Sequence, residues 1–504
     1  MKSLADVSHC HPEHIRGDNR GDPSLHSVPL RMTNRAILNR YRRVLCVALL
    51  IFAGTLTGIA QHSLVNFAHL RHLTERILFE GDTVSIVHVY ANYPDYEWVD
   101  AKESGPEGIA CVDDAARAAV VYLRHFELFH DSLSMSEGTS LLKFVLKMET
   151  EDGMFYNFIF ADHTINRNGK TSYASFGWWG SRGVWAMATG YKIFKEIDTA
   201  FAARLRNGID RTLPHIDSLM RTYGRYDTLK GYRVPSWLLY ESGADVTSEL
   251  LLGLTTYFGV TRDNHLRQLI RNFTDGLMIM QNGDSRTYPF GLHRSWQTMW
   301  HMWGNGQTQA LASAGKTLKK KELIASAERE ATGFYSRLLL NGFMKEMDVS
   351  DTAKSVRYEQ IAYAVRPMAV GLIRLYEATN NPAYLKLAGL AAAWFFGNNP
   401  AGATMYDSTT GRCFDGIRDS TTINKNSGAE STIEALHTLV ELQHYPAAMK
   451  LLNFRRVRTG GSAKSLYAVF QNPQGNAVTL VLDLKKSKVL VPDGDLSRKY
   501  DAGK

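Results

Sequence analysis

The chain has 504 residues, of which 44% are hydrophobic and 21% are charged, so it is long enough for one large globular domain with appendages. Much of the net charge of +8 lies at the N-terminus, because residues 1–60 hold eight Lys or Arg and four Asp or Glu, which leaves +4 for the remainder. No basic stripe interleaved with aromatic residues is visible, so nucleic-acid binding is disfavoured.

Residues 1–60 are predicted to be an N-terminal extension with a signal peptide, and Met32 is an alternative start. Several arginines precede the apolar run 44–60, which ends in small residues before Gln61. This pattern is typical of a secretory signal and predicts cleavage after Ala60, with a secreted or periplasmic product. The alternative is a retained membrane anchor, although 17 apolar residues fall short of the ~20 that span a bilayer.

Residues 61–456 show six pairs of helical segments, which follow a short helix-like lead-in and a strand-like stretch. The first segment of each pair is rich in small residues, whereas the second is charged and amphipathic. The alternation predicts an all-α domain, a closed (α/α)6 toroid with the small-residue helices inside. The predicted pairs are 113–130 with 137–149, 179–197 with 199–221, 245–259 with 263–280, 304–315 with 320–340, 358–379 with 382–397, and 428–442 with 444–454.

Two details modify this pattern. Pro367 falls inside the fifth inner helix and predicts either a kink or a late helix start. Residues 463–504 alternate in hydrophobicity and predict a small β-hairpin appendage at the C-terminus, with a third strand.

The connections that lead into the inner helices are long, and polar or aromatic residues open each inner helix. Long structured loops collect binding groups. In a closed toroid these openings meet at one end, so one pocket is predicted there.

Carboxylates open the first and the last inner helix: Asp113 and Asp114 at one, Glu430 at the other. Glycoside hydrolysis requires two carboxyl groups that flank the scissile bond. A helix N-terminus stabilises an ionised Asp, which suits a base, whereas Glu430 needs a drier setting to keep its proton. The alternative is that these residues are helix caps or partners of the helix dipole.

Other residues at the helix openings are predicted to bind substrate. Aromatic faces pack against the C–H faces of sugar rings, and amide, carboxyl and guanidinium groups bind hydroxyls. The alternative for each is a purely structural role. The candidates are Trp178, Trp179, Arg182, Asp245, Trp303, Gln307, Tyr358, Glu359 and Asn426.

Cys111 and Cys413 are the two cysteines that remain after the predicted cleavage. Export permits a disulfide, and ring closure would bring the first and last hairpins together, so a bridge is predicted. The alternative is two buried free thiols. No metal-ligand spacing, phosphate-binding loop or dinucleotide fingerprint is present, so neither a metal nor a cofactor is predicted.

The Gly-Asn-Asn-Pro segment 397–400, an Asn-rich stretch and Glu430 at the last inner helix carry a family resemblance. With the six hairpins, they make the chain resemble the six-hairpin glycosidase superfamily, with weak similarity to family 9 glycoside hydrolases. The resemblance implies an exported hydrolase of oligo- or polysaccharides, with Glu430 as the acid and Asp113 or Asp114 as the base of an inverting reaction. Two features depart from the family pattern: the aspartates are adjacent, and Gly428-Ala429 replaces an Asn before the Glu.

Two other functions remain open. A polysaccharide lyase or sugar epimerase on a related toroid would use a His or Tyr base, for which Tyr358, His293 and His301 are available. No His pair stands at the inner-helix openings, so this function ranks second. The third is a non-catalytic glycan-binding protein, in which the carboxylates only bind hydroxyls.

Overall fold

The computed structural model describes residues 63–501, which belong to one compact unit. The predicted signal peptide, the cleavage site after Ala60 and the alternative start lie outside the described residues. Within the described range, no helix combines the length and apolar character that crossing a bilayer requires.

A short helix, α1 (Ala68–Leu73), and a hairpin of β1 (Thr74–Phe79) and β2 (Asp82–Val87) precede the ring. The hairpin register pairs Thr74 with Val87 and Phe79 with Asp82. The second strand packs against the first two helices of the toroid.

The inner ring of the described chain consists of small-residue-rich helices that pack in sequence order. They are α2 (Val112–Phe129), α4 (Trp178–Phe194), α6 (Ala244–Thr261), α8 (Gln307–Leu318), α11 (Val365–Thr379) and α13 (Ala429–Gln443). Each packs on the next, and α13 packs back on α2, so the ring is closed. The predicted (α/α)6 toroid is confirmed.

Small residues allow this close packing. A Cβ added at Gly253 of α6 would lie 2.8 Å from the backbone nitrogen of Trp185 in α4, closer than a side chain tolerates. Helix backbones that approach so closely leave no room for branched side chains.

Outer helices follow each inner helix and pack against it. They are α3 (Ser132–Lys147), α5 (Thr199–Leu219), α7 (Asn264–Ile279), α9 (Lys321–Glu330), α12 (Pro382–Ala392) and α14 (Pro446–Met449). The fourth continues through a π-helical turn, Ala331–Tyr335, into α10 (Ser336–Asn341). The sixth is much shorter than the predicted 444–454.

The fifth inner helix begins at Val365 rather than at 358. Pro367 lies in its first turn, where the missing N–H has no helical acceptor to lose, so the late start accommodates the proline. The preceding residues instead form a two-residue strand and a 3₁₀ turn, Ala362–Ala364.

Short strands lie in the connections that lead into the inner helices. They are β3 (Tyr90–Asn92), β4 (Glu97–Val99), β5 (Ala110–Cys111), β6 (Phe158–Ile159), β7 (Tyr226–Leu229), β8 (Tyr232–Pro235), β9 (Met299–His301), β10 (Glu346–Asp348), β11 (Asp351–Val356), β12 (Gln360–Ile361), β13 (Tyr406–Asp407), β14 (Arg412–Cys413), β15 (Gly416–Ile417) and β16 (Ile423–Asn424). They give the long connections a defined structure beside the N-terminal ends of the inner helices.

The C-terminal appendage is a four-stranded antiparallel sheet in sequence order. Its strands are β17 (Arg455–Gly461), β18 (Ser465–Gln471), β19 (Ala477–Asp483) and β20 (Lys488–Leu490), and α15 (Ser497–Asp501) follows. The sheet therefore begins before residue 463 and has a first strand that the sequence pattern did not indicate. It packs on α10 through β18 and β19.

Candidate active site

A cavity of about 500 Å³ lies at the N-terminal ends of the first, second and last inner helices. Its wall combines carboxyl, guanidinium and aromatic side chains. Lining residues from these three helices include Asp113, Asp114, Arg117, Trp178, Trp179, Arg182, Glu430 and Ser431. A short strand, loops and 3₁₀ turns add Tyr90, Glu107, Asn157, Thr171, Trp303, Tyr363 and Asp415.

Glu430 stands in the first turn of α13, with 45% of its side chain exposed. That surface faces the cavity, so protein still surrounds the carboxyl and removes much of its hydration. Burial raises the pKa of Glu430, and the nearby Arg117 opposes the shift in part. A carboxyl with a raised pKa suits a proton donor.

Asp113 faces the same cavity from α2. Its Oδ2 lies 2.8 Å from Nη1 of Arg182, and its side chain is 21% exposed. Its Oδ1 has no hydrogen-bond partner among the described residues. In this part of the chain Oδ1 is therefore unpaired but buried, and the exposed part of the side chain belongs to its other atoms.

Asp114 is almost fully buried beneath the cavity, with both oxygens occupied. Oδ1 accepts from Nη2 of Arg117 at 2.7 Å, and Oδ2 accepts from the Cys111 thiol at 3.2 Å. Burial raises the pKa of Asp114, against the effect of Arg117. These contacts fix the guanidinium and leave little of the carboxyl open to a ligand.

Arg117 begins a buried ladder of ion pairs that links four inner helices across the interior of the ring. Its Nη1 lies 3.2 Å from Oε1 of Glu434, whose Oε2 accepts from Nε of Arg366 at 2.5 Å. Nη2 of Arg366 in turn donates to Oε1 of Glu249 at 3.1 Å. Burial would raise the pKa of Glu434, but Arg366 and Arg117 outweigh it and lower the pKa.

Tyr363 lies between the two cavity arginines. Nη2 of Arg182 donates to its hydroxyl at 2.5 Å, and the Arg117 guanidinium lies 5.1 Å from the ring centroid. Burial raises the pKa of this phenol, so it stays neutral. Tyr363 therefore keeps both guanidiniums in place.

Asp415 holds the N-terminus of α13. Its Oδ1 accepts from the Gly428 N–H at 3.0 Å and from the Ser431 hydroxyl at 2.6 Å. Burial raises the pKa of Asp415. The residue lines the cavity and anchors the helix turn that carries Glu430.

The aromatic wall is built from Trp178 and Trp303, whose ring centroids lie 5.9 Å apart. Trp303 stacks on His301 at 3.6 Å, and Nε2 of His301 lies 3.1 Å from Oδ2 of Asp245. Asp245 does not line the cavity but positions Trp303 through this histidine. The more buried Trp179 donates its indole N–H to the Phe155 carbonyl at 2.7 Å.

Besides Asp245, four further predicted substrate-binding residues are not among the residues that line the cavity: Gln307, Tyr358, Glu359 and Asn426. The Gln307 amide donates to the Gly304 carbonyl at 3.0 Å. Asn426 accepts from the Tyr93 N–H at 3.1 Å, and Glu359 lies 4.0 Å from Arg418. Gln307, Glu359 and Asn426 therefore make polar contacts with other parts of the protein.

Sequence reasoning missed Arg117, Tyr363 and Asp415 as site residues. A lone arginine in the Ala-rich start of α2, one turn after the two aspartates, was the available signal for Arg117. Tyr363 lies in a 3₁₀ turn and Asp415 in a loop, where no periodicity in the sequence indicates which way a side chain points.

The predicted disulfide is not formed: Cys111 and Cys413 are free and buried. Cys111 caps α2, accepting from the Asp114 N–H at 3.4 Å, and packs with Val89 and Phe158. Cys413 packs instead in the main core of the toroid. Ring closure brings α2 and α13 together but places the two thiols in different apolar clusters.

Across residues 63–501, no group of three or more His, Cys, Asp or Glu side chains is arranged to hold a metal ion. The polar groups of the cavity are instead engaged with one another through the ion pairs described above.

No family model and no curated protein sequence matches the chain. Among solved structures, it is similar to a sugar epimerase from a ruminal bacterium, with a TM-score of 0.52, 10% identity and coverage of 76% of this chain and 97% of that one. Cellobiose 2-epimerase from Spirochaeta thermophila gives a TM-score of 0.51 at 12% identity, with 78% and 97% covered. A family 76 glycoside hydrolase from a bovine Bacteroides thetaiotaomicron strain gives 0.48 at 15%, with 76% and 78% covered.

Sequence identities of 10–15% are evidence for a shared fold only. The closed ring, the helix order and the two epimerase structures agree, and the chain therefore has an (α/α)6 toroid fold.

Proposed function

We propose that the protein is a carbohydrate-active enzyme that hydrolyses O-glycosidic bonds in an oligo- or polysaccharide. The observation that carries the proposal is the pair of carboxyl groups open to one cavity, Glu430 from the last inner helix and Asp113 from the first. Two carboxyl groups with different environments are what glycoside hydrolysis requires.

In the proposed reaction, Glu430 donates its proton to the glycosidic oxygen as the bond from that oxygen to C1 breaks. The Asp113 carboxylate accepts a proton from water, whose oxygen forms the new bond to C1. The products are two sugars, each with one new hydroxyl, and proton exchange with solvent restores both carboxyl groups. Arg182 and Arg117 hold the two carboxyl groups in position.

Trp178 and Trp303 supply the apolar wall against which a sugar ring would pack. Asp114, with both oxygens occupied, serves in this proposal as the group that positions Arg117. The base is thereby assigned to Asp113.

A sugar epimerase is the second candidate. The His301–Asp245 pair favours it, because a histidine oriented by a carboxylate is a common proton carrier. His301 nevertheless lies behind Trp303, and the described residues that line the cavity include five Asp or Glu and no histidine. The cavity chemistry therefore favours hydrolysis.

A polysaccharide lyase must neutralise a uronate carboxylate. The guanidiniums of Arg117 and Arg182 both line the cavity but are already paired with carboxylates. No lysine lines the cavity in the described part of the chain. A third alternative, a non-catalytic glycan-binding protein, would not require a proton-donating carboxyl.

The test is to incubate the purified protein with a panel of neutral and acidic glycans. Hydrolysis would release new reducing ends without new ultraviolet absorbance. An unsaturated uronate chromophore would establish a lyase, a changed sugar configuration without cleavage an epimerase, and binding without any product a glycan-binding protein. Each of these three outcomes would contradict the proposal.

Export is also part of the proposal, and it depends on the arginines and the apolar run 44–60. Cell fractionation of the tagged full chain should find a shortened product outside the cytoplasmic membrane. A full-length product in the membrane fraction would indicate an anchor.

A further inference from the structure

Three aromatic side chains stand exposed beside the cavity without lining it. Tyr173 is 52% exposed, Tyr240 51% and Trp296 41%. Single exposed apolar residues are ordinary, but a group of large ones in contact indicates a binding surface. We name these three residues the aromatic rim.

The residues of the aromatic rim contact the cavity wall or one another. The Tyr173 ring lies edge-on to Trp179, with centroids 6.4 Å apart, and the Tyr240 hydroxyl lies against Gly177, the residue that precedes Trp178. The Trp296 indole N–H reaches the Tyr240 carbonyl at 3.4 Å. The rim therefore continues the aromatic wall of the cavity outward.

The backbone holds Tyr240 in an unusual position. Tyr240 and Glu241 both have positive φ, 52° and 60°, in the left-handed region that residues other than glycine seldom adopt. A Cβ at Gly177 would lie 1.8 Å from the Tyr240 hydroxyl, so only glycine permits this contact. Strained backbone of this kind is commonly kept where a side chain must be presented to a ligand.

We propose that Tyr173, Tyr240 and Trp296 bind sugar units of the same glycan chain whose scissile bond lies in the cavity. The proposal rests on the proposed function and deepens it, because it makes the substrate a chain longer than the cavity alone engages. Because the aromatic rim is continuous with the cavity wall, the ligand proposed for the rim is the same glycan chain that occupies the cavity. Tyrosine and tryptophan offer flat apolar faces together with hydrogen-bonding edges, which match the C–H faces and hydroxyls of neutral sugars.

The experiment measures binding by calorimetry in Glu430→Gln protein, which should not consume its ligand. The probes are gluco-, manno- and xylo-oligosaccharides of two and of six units. For at least one series we expect the six-unit chain to bind about ten-fold more tightly than the two-unit chain. Tyr240→Ala and Trp296→Ala should each weaken six-unit binding by about five-fold and leave two-unit binding unchanged.

The matched control is Phe129→Ala, since Phe129 is 39% exposed and ends α2 at the opposite end of the ring. Tyr173→Ala is the second variant, because the Tyr173 side chain makes only a ring contact with the wall. Each variant's melting temperature shows whether it has folded.

The rim proposal is overturned if two- and six-unit chains bind equally, if the rim variants behave like Phe129→Ala, or if no probe binds. If wild-type protein binds six-unit chains through the rim but releases no reducing ends, the rim proposal stands and the proposed hydrolysis fails. The two proposals can therefore fail separately.

Discussion

Arg117 and Glu430 meet where the ring closes, with 3.2 Å between Nη1 of the arginine and Oε2 of the glutamate. They are 313 residues apart in the chain, on the first and last inner helices. The contact couples closure of the fold to the protonation of the cavity carboxyl, because the same guanidinium opposes the burial that raises the pKa of Glu430. The same ion pair therefore joins the first and last inner helices and affects the pKa of the proposed acid.

Replacing Glu430 by glutamine should remove the proton donor while keeping the shape of the side chain. We expect kcat to fall by roughly 100- to 10,000-fold, since general acid catalysis contributes about that much. The measurement is reducing-end release on the glycan that the wild-type protein cleaves best. Glu322→Gln, on an outer helix with 56% of the side chain exposed, is the matched control. Equal turnover in the two variants would remove Glu430 from the mechanism.

Glu434 should contribute to the pH at which Glu430 loses its proton. After burial and the charges of Arg117, Asp114 and Arg182, the charge of Glu434 also acts on Glu430 and raises its pKa. Glu434→Gln removes that charge, so the pKa of Glu430 should fall and the alkaline limb of kcat/KM should move to lower pH.

The pH profile of kcat/KM measures this shift, with Glu249→Gln as the control, because Glu249 pairs with Arg366 but not with Arg117. Each variant should also lose ~3 kcal/mol of unfolding free energy, because each leaves a buried arginine short of a partner. An unmoved alkaline limb in Glu434→Gln would show that the buried ladder has only a structural role.

The ring itself could be predicted from the sequence, because the alternation of small-residue helices with amphipathic ones indicates which helices form the inner ring. The start of α6 at Ala244 was placed within one residue, since Gly243 and Asp245 mark it. Contacts between distant segments were not predictable: nothing local shows that Asp415 caps the helix of Glu430, or that Glu434 pairs with both Arg117 and Arg366. The prediction of a disulfide is wrong for the same reason, since the proximity of two helices does not determine where their neighbouring thiols lie.

The two adjacent aspartates should behave differently when amidated. Asp113→Asn should abolish turnover, and it should also lower the free energy of unfolding, because the buried Arg182 loses the charge of its carboxylate partner. Asp114→Asn leaves the buried Arg117 guanidinium less well paired and should cost about 3 kcal/mol of unfolding free energy. Denaturant unfolding and reducing-end assays on both variants check this. Asp114 is not the base in the proposed reaction, so Asp114→Asn should keep turnover that Asp113→Asn lacks. An inactive Asp114→Asn protein together with an active Asp113→Asn protein would exchange their roles.

Both cysteines should be unlinked and unreactive in the native protein. Burial raises the pKa of the Cys111 and Cys413 thiols, so little thiolate forms at neutral pH. Native protein should resist alkylation at both positions, whereas denatured, unreduced protein should be alkylated at both, as read by peptide mass mapping. A linked Cys111–Cys413 peptide before reduction would contradict the structure.

Glu149 should make the protein less stable as the pH rises. Burial raises its pKa from 4.5 to about 7, although Arg211 pairs with it and opposes the shift. A raised carboxyl pKa contributes stability that is fully present below the unfolded value and is lost as the pH rises through the folded value. Glu149→Gln removes this loss, so its stability relative to the parent should increase from pH 5 to pH 8 by on the order of 2–3 kcal/mol. Denaturant unfolding at each pH measures the trend, with the exposed Glu196→Gln as the control. A constant difference across this range would mean that Glu149 is ionised throughout, because Arg211 outweighs its burial.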